Sequence, residues 1–272
     1  NIVVTNGSIT AFYLLAQPGK GRNPLCRSSL RSMKTLAACT GMKSVSFRPR
    51  ATCPASRWKD RISAGSVSPN NPDGRLIRRA ELLALIEANR QTVFIIDQAY
   101  VAFTTESVGT FGCLQPSEPD PDTIYFESAN IPGLRIGYLI ASPDKVEQIN
   151  RYIIPWSVNA IAVEAGKYIL THPGNNPAIR EWQRETASLI DRLNELGDLE
   201  ALPTSVTFFL VRLKKGTAAG LKQYLWDRHG LLIRDASNFR SLDETYIRIS
   251  AQTAAENRVL VDAVREWLSI LP

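Results

Sequence analysis

"VFIIDQAY", residues 93 to 100, is an apolar run that ends on an acid. Val93 to Ile96 read as a buried strand, a short continuous apolar run, and Asp97 closes it. Tyr100 follows three residues later. A buried charge without a partner is costly, so Asp97 either caps the next turn or faces a cation. The flanking segments place this strand in a larger pattern. Upstream, "RLIRRAELLALIEANR" (75–90) predicts a helix, with Leu82, Leu85 and Ile86 at i, i+3, i+4 spacing. Downstream, "LRIGYLIAS" (134–142) predicts a strand and "PDKVEQINRYI" (143–153) a helix. Residues 1–17 read strand, turn, helix: "NIVVT", "NGS", "ITAFYLLAQ".

Beyond "PWSVNAIAVEAGKYIL" (155–170) the pattern changes. Asn176 and Pro177 open a helix that stops at Gly197. The strand "SVTFFLVRL", the helix "GTAAGLKQYLWDRHG" and the short strands "LLIRD" and "TYIRIS" follow. The last helix starts at Thr253 with Glu256 three residues on, a capping box. Alternating strands and helices imply an α/β fold with a mostly parallel sheet, then a smaller α+β unit. The expected boundaries are a large domain over 1–160 and a small one over 161–272. A start on the strand-like "NIVVT" predicts that the N-terminal part of the fold is missing.

Composition narrows the function classes. At 272 residues and 44% hydrophobic, the chain can bury a full core. No apolar run approaches the roughly 20 residues that span a bilayer, and the start lacks the basic region of a secretory signal. The net charge of +6 is unevenly placed. Ten Lys or Arg residues precede the first acid, Asp60; from there on, 22 basic face 26 acidic residues, a net −4. A basic arm for nucleic acid is one reading, but no aromatic interleaving accompanies it. The expectation is no nucleic-acid partner and no membrane. Cys26, Cys39, Cys53 and Cys113 show no CxxC spacing, and His172 and His229 lie far from them, so no metal site is expected. Reduced thiols fit the cytoplasm.

Four local signals bear on chemistry. "NGS" (Asn6, Gly7, Ser8) joins a strand to a helix, where backbone N–H groups can hold a phosphate. "PNNPDG" (69–74) is a rigid turn that projects Asn71. "IIDQAY" presents Asp97 and Tyr100 beyond a strand end, and "IPGLRIGY" (131–138) puts Arg135 at the mouth of another strand. Each alone reads more readily as a turn or a cap than as a site. Their order and combination resemble the fold-type I pyridoxal-phosphate enzymes, in the class I/II branch of histidinol-phosphate aminotransferase and threonine-phosphate decarboxylase. That family carries an N-P-N-N-P-T-G turn, a D-E-A-Y strand end, an I-P-G-L-R-I-G-Y segment and a late Y-I-R-I-S strand. This chain has "SPNNPDG", "DQAY", "IPGLRIGY" and "YIRIS" in that order. "PWSVNAIA" and "LIRDASNF" look closer to the decarboxylase.

The resemblance implies pyridoxal 5′-phosphate as cofactor, a small phosphorylated amino compound as substrate, and a homodimer. It implies that Asp97 faces the pyridine nitrogen, that Tyr100 and Asn71 bond the ring's 3′-oxygen, and that Gly7, Ser8 and Arg135 bind the cofactor phosphate. Arg248, in "YIRIS", takes the substrate carboxylate. Asn159 is either a substrate contact or a helix N-cap.

Two departures stand against it. The family's Schiff-base lysine lies five residues before the proline of I-P-G-L-R; here that position is Glu127. The aromatic that stacks on the cofactor ring cannot be located within 18–66. Both fall in the off-pattern stretches, 18–66 and 107–129, which hold all four cysteines. A shifted reading frame explains both: with suitable codons, "SMKTLAACTGMKSV" (32–45) read one frame over spells the family's stacking-aromatic segment. The alternative is a catalytically inactive homologue.

Overall fold

The computed structural model describes residues 1–15, 63–90, 93–106, 123–128, 133–172, 178–239 and 242–271. The expectations for 18–62 and 107–122, the shifted reading frame among them, and for a helix start at Asn176–Pro177 lie outside these residues.

The described chain divides into two compact units. The first holds β1 (Ile2–Thr5), α1 (Gly7–Leu15), β2 (Ser63–Val67), α2 (Arg79–Ala88), β3 (Val93–Asp97), β4 (Thr123–Ser128), β5 (Gly137–Ile140), α3 (Pro143–Asn150) and α4 (Ala160–Thr171). The sheet order is β1-β5-β4-β3-β2. Strand β3 is buried on both faces, which is why its apolar run is continuous. Ile95 packs with Phe12 of α1, Ile124, Leu139 and Ile149. Its neighbours Phe94 and Ile96 point the other way, to Leu82 and Ile86 of α2, Tyr125 and Ile140. The period-2 alternation of a strand thus feeds two apolar layers, one under α1 and one under α2. Each fully buried Ile or Phe contributes about 1.5–3 kcal/mol to that docking.

The α/β class stands, and among the described residues the sheet is mixed. The pairs β2–β3 and β3–β4 are parallel, whereas β5 runs against both β4 and β1. The off-pattern stretches lose ground at their edges: residues 63–66 belong to β2 and residues 123–128 form β4. Helix α2 begins at Arg79, four residues later than its apolar spacing predicts. Its entry is fixed by the turn before it: Arg75 C=O accepts from Asn70 N–H at 2.8 Å and Ser68 Oγ accepts from Ile77 N–H at 3.0 Å.

The second unit holds α5 (Ala178–Asn194), β6 (Leu199–Ala201), β7 (Phe208–Leu213), α6 (Ala218–His229), β8 (Arg234–Asp235), β9 (Tyr246–Ser250) and α7 (Ala254–Ile270), together with Asn70–Arg75 and Phe103–Thr105. Its sheet is antiparallel in the order β6-β7-β9-β8. One face, with Phe209, Val211, Ile247 and Ile249, packs on Leu189 and Leu193 of α5, Leu221 and Leu225 of α6, and Val261, Val264 and Trp267 of α7. The expected capping box forms: Glu256 N–H donates to Thr253 Oγ1, and Thr253 N–H donates to Glu256 Oε2 at 3.0 Å. The units divide between Asn175 and Asn176, fifteen residues past the expected boundary. Helix α4 stays with the first unit because Gly166 meets Ile136 there: a Cβ on Gly166 would lie 2.8 Å from Ile136 Cδ1.

Candidate active site

In the first unit, register collects the chemistry at one end of the sheet. Thr5 of β1 pairs with Gly137 of β5, Gly137 with Ser128 of β4, and Phe126 of β4 with Asp97 of β3. Asp97, Gly7 and Glu127 therefore lie at or within two residues of the carboxyl ends of β3, β1 and β4, and Arg135 two residues before the adjoining amino end of β5. Open α/β sheets place ligands there.

Asp97 is 1% exposed. Its Oδ1 accepts the N–H of Ala99 at 3.0 Å, so the turn-capping role holds. That bond does not offset burial, which holds the carboxyl up at about 6. By strand alternation Asp97 shares the face of Ile95, the α1 side. Tyr100 is half-buried in the turn that follows, before a single 3₁₀ turn at Val101–Phe103.

Gly7 opens α1 with a left-handed backbone (φ 73°), and a Cβ there would stand 2.5 Å from Arg135 Nη2. The positive φ favours glycine, and any side chain there would push the end of the guanidinium aside. Ser8 is the next residue of α1 and is half-buried. Arg135 is itself left-handed (φ 59°), an arrangement that costs a side-chain-bearing residue roughly 1–3 kcal/mol. The result is a helix N-terminus with a guanidinium across its first residue, two complementary features for an anion. Asn159 is the N-cap of α4: its Oδ1 accepts from Ala162 N–H at 2.8 Å, while its Nδ2 donates to Leu134 C=O at 3.0 Å. Glu127 lies in β4 opposite Tyr138 of β5.

The second unit carries its own group. Arg248 Nη1 donates to Asn71 Oδ1 at 2.7 Å, and its guanidinium lies 5.2 Å from the centre of the Phe208 ring. The Asn71 turn is seated by Gly74, whose C=O accepts from Ser205 N–H at 3.1 Å; a Cβ on Gly74 would fall 1.8 Å from Thr204 Oγ1. Across the sheet Arg248 pairs with Arg234. Both line a cleft of about 540 Å³ with Lys222, Glu256, Asn257 and Leu260. Arg234, Lys222 and Phe208 carry no motif of their own. Only the register Arg234↔Arg248 brings Arg234 beside Arg248, and "LIRDASNF" is the one sequence trace of it.

A family model described as "Aminotransferase class I and II" matches residues 62–264. The chain belongs to the aminotransferase class I and II family. Within this family it is 39% identical to the solved L-threonine-O-3-phosphate decarboxylase of Porphyromonas gingivalis, with a TM-score of 0.91 over 98% of this chain and 83% of that one. It is 31% identical to the threonine-phosphate decarboxylase of Salmonella typhimurium over 74% of this chain. It is 30% identical to the histidinol-phosphate aminotransferase of Methanosphaera stadtmanae over 73% of this chain. The chain spans 56% and 54% of the lengths of these last two relatives. The histidinol-phosphate aminotransferase of Sinorhizobium meliloti, solved in complex with pyridoxal-5′-phosphate, shares the fold at a TM-score of 0.81 and 19% identity, over 99% of this chain and 77% of that one. The named relatives are decarboxylases and aminotransferases, as the motifs imply.

Proposed function

We propose that the chain binds pyridoxal 5′-phosphate and acts on a small phosphorylated amino compound, most like threonine-phosphate decarboxylase, an enzyme of cobalamin biosynthesis. Asp97 carries the reading. A carboxyl buried at a strand end and held up at about 6 is stabilised by an opposing cation, and a protonated pyridine nitrogen supplies one. When bound, the cofactor supplies an electron sink for charge at the substrate carbon beside the amino group. Gly7, Ser8 and Arg135 suit its phosphate, and Tyr100 suits its 3′-oxygen. Arg248 offers a substrate carboxylate the planar fork that matches it. Lys222 and Arg234, the further cations of that cleft, suit an anionic, phosphorylated substrate.

Glu127 does not fit the same cofactor. A carboxylate cannot form the covalent attachment a lysine forms there, so no catalytic step is assigned through that attachment. This residue favours a second reading for the chain as it stands: a homologue that binds the cofactor reversibly and lacks turnover. Histidinol-phosphate aminotransferase, of histidine biosynthesis, is the alternative activity, because the Arg248 guanidinium suits the phosphate of an amino alcohol as well as a carboxylate.

The test is titration with pyridoxal phosphate followed by borohydride and intact-mass measurement. The expected result is reversible binding with no fixed adduct, and a pyridoxyl adduct on Glu127→Lys. Carbon dioxide release from threonine phosphate, against amino transfer from histidinol phosphate, then separates the two activities in that variant. Failure of the unaltered chain to bind pyridoxal phosphate would overturn the proposal. A homodimer in the cytoplasm is part of the same reading. The exposed apolar side chains of Ile154, Trp156 and Ile161 on the first unit support the dimer. Among the described residues no helix is long and apolar enough to cross a membrane.

A further inference from the structure

We infer that Asn159 is a positioning residue for Arg135, holding the phosphate-facing guanidinium through the backbone; the inference rests on the assignment of Arg135 to the cofactor phosphate. An N-cap needs only the side-chain oxygen, which takes Ala162 N–H at 2.8 Å. Asn159 uses its amide nitrogen as well, and sends it 25 residues back along the chain to Leu134 C=O at 3.0 Å. That carbonyl belongs to the peptide unit that leads directly into Arg135. On the other side of Arg135, Ile136 is met by the same helix at Gly166, where a Cβ would lie 2.8 Å from Ile136 Cδ1. Helix α4 therefore grips the chain on both sides of a residue with φ 59°, a conformation that a side-chain-bearing residue leaves readily unless its surroundings fix it.

The direction of the Arg135 side chain depends on that backbone. Arg135 is exposed, so burial does not fix its path. A left-handed Cα directs the guanidinium across Gly7, and rotation back to the ordinary right-handed or extended regions would carry it elsewhere. Serine would have been an equal cap for α4 but is too short for a second bond to Leu134. Asparagine both caps the helix and donates, so the choice of residue matches the double role.

Asn159→Ser separates the two roles without adding charge. Its melting temperature should stay close to that of the unaltered chain, because the cap survives. Affinity for pyridoxal phosphate should fall roughly three- to tenfold, the size of one lost hydrogen bond. Affinity for pyridoxal, which lacks the phosphate, should not change. Amide exchange in the peptide spanning 134–137 should accelerate with or without cofactor. Unchanged affinity for pyridoxal phosphate together with unchanged exchange would overturn the inference. So would an equal loss for both ligands, or a loss confined to substrate, which would make Asn159 a substrate contact. If the unaltered chain fails to bind pyridoxal phosphate, the cofactor reading falls, and the exchange measurement still decides whether Asn159 holds the Arg135 backbone.

Discussion

Asp97 is a residue whose functional and structural interests oppose each other. Burial raises its carboxyl from 3.8 to about 6. Between those values the folded chain keeps a proton that the unfolded chain has released, so stability falls as pH rises through that window. Above pH 6 the penalty is constant at about 3 kcal/mol. Asp97→Asn removes it while keeping an oxygen for the Ala99 N–H bond. In the absence of cofactor, the variant should be more stable than the unaltered chain at pH 7.5 by up to about 3 kcal/mol, and the difference should close below pH 4. Urea denaturation at the two pH values measures both quantities. Pyridoxal phosphate affinity should move the other way, falling with the loss of a charge-assisted hydrogen bond worth about 1.5–3 kcal/mol. A variant that loses stability at pH 7.5 and binds cofactor normally would make Asp97 a structural cap. Arg248→Ala gives the complementary result: weaker binding of carboxylate substrates with cofactor affinity nearly unchanged. Equal loss of both in equilibrium titrations would move Arg248 out of its substrate role.

Among the elements, legibility followed local chemistry. The strand of Asp97, the last helix with its Thr253 box and the turn at Asn71 are written in short windows, and the structure forms each of them. Strand β4 was not legible, because "TIYFES" shows neither alternation nor a long apolar run. It becomes a strand only through its pairings to β3 and β5, contacts distant in sequence. Likewise "LLIRD" keeps only Arg234 and Asp235 as strand, since β8 is an edge with a single partner, β9. The bond between Asn71 and Arg248 joins residues 177 apart, and no window contains both. The close approach of Arg135 to Gly7 was legible only as a resemblance. Its physical cause, two left-handed residues facing each other, appears with the backbone angles. Gly7→Ala tests that element junction. A methyl group 2.5 Å from Nη2 must displace the guanidinium, and the φ of 73° strains alanine. Pyridoxal phosphate affinity should drop tenfold or more while pyridoxal affinity changes little, as read by parallel titrations.

At the scale of the whole molecule, the first unit presents an apolar surface that its own core does not use. Trp156 is 98% exposed, Ile154 74% and Ile161 71%. Trp156 is also held at φ 57°, the only described non-glycine residue besides Arg135 with a positive φ. These three exposed apolar side chains, close together in sequence, add little to the core of the first unit. Covering them gains about 25 cal/mol for each Å² of apolar surface removed from water, and clustered aliphatic and aromatic side chains of this kind mark association sites. A homodimer uses such a surface twice, since a two-fold interface is self-complementary. Trp156→Asp and Ile161→Asp should each leave the melting temperature of the monomer near its original value and weaken self-association by tenfold or more, because a carboxylate would have to be buried at the contact. Sedimentation velocity across a dilution series reads this directly. The unaltered chain should sediment as a dimer at micromolar concentration and the variants as monomers. A chain that is monomeric throughout the series, or a dimer indifferent to both substitutions, would place the apolar surface outside the self-association contact.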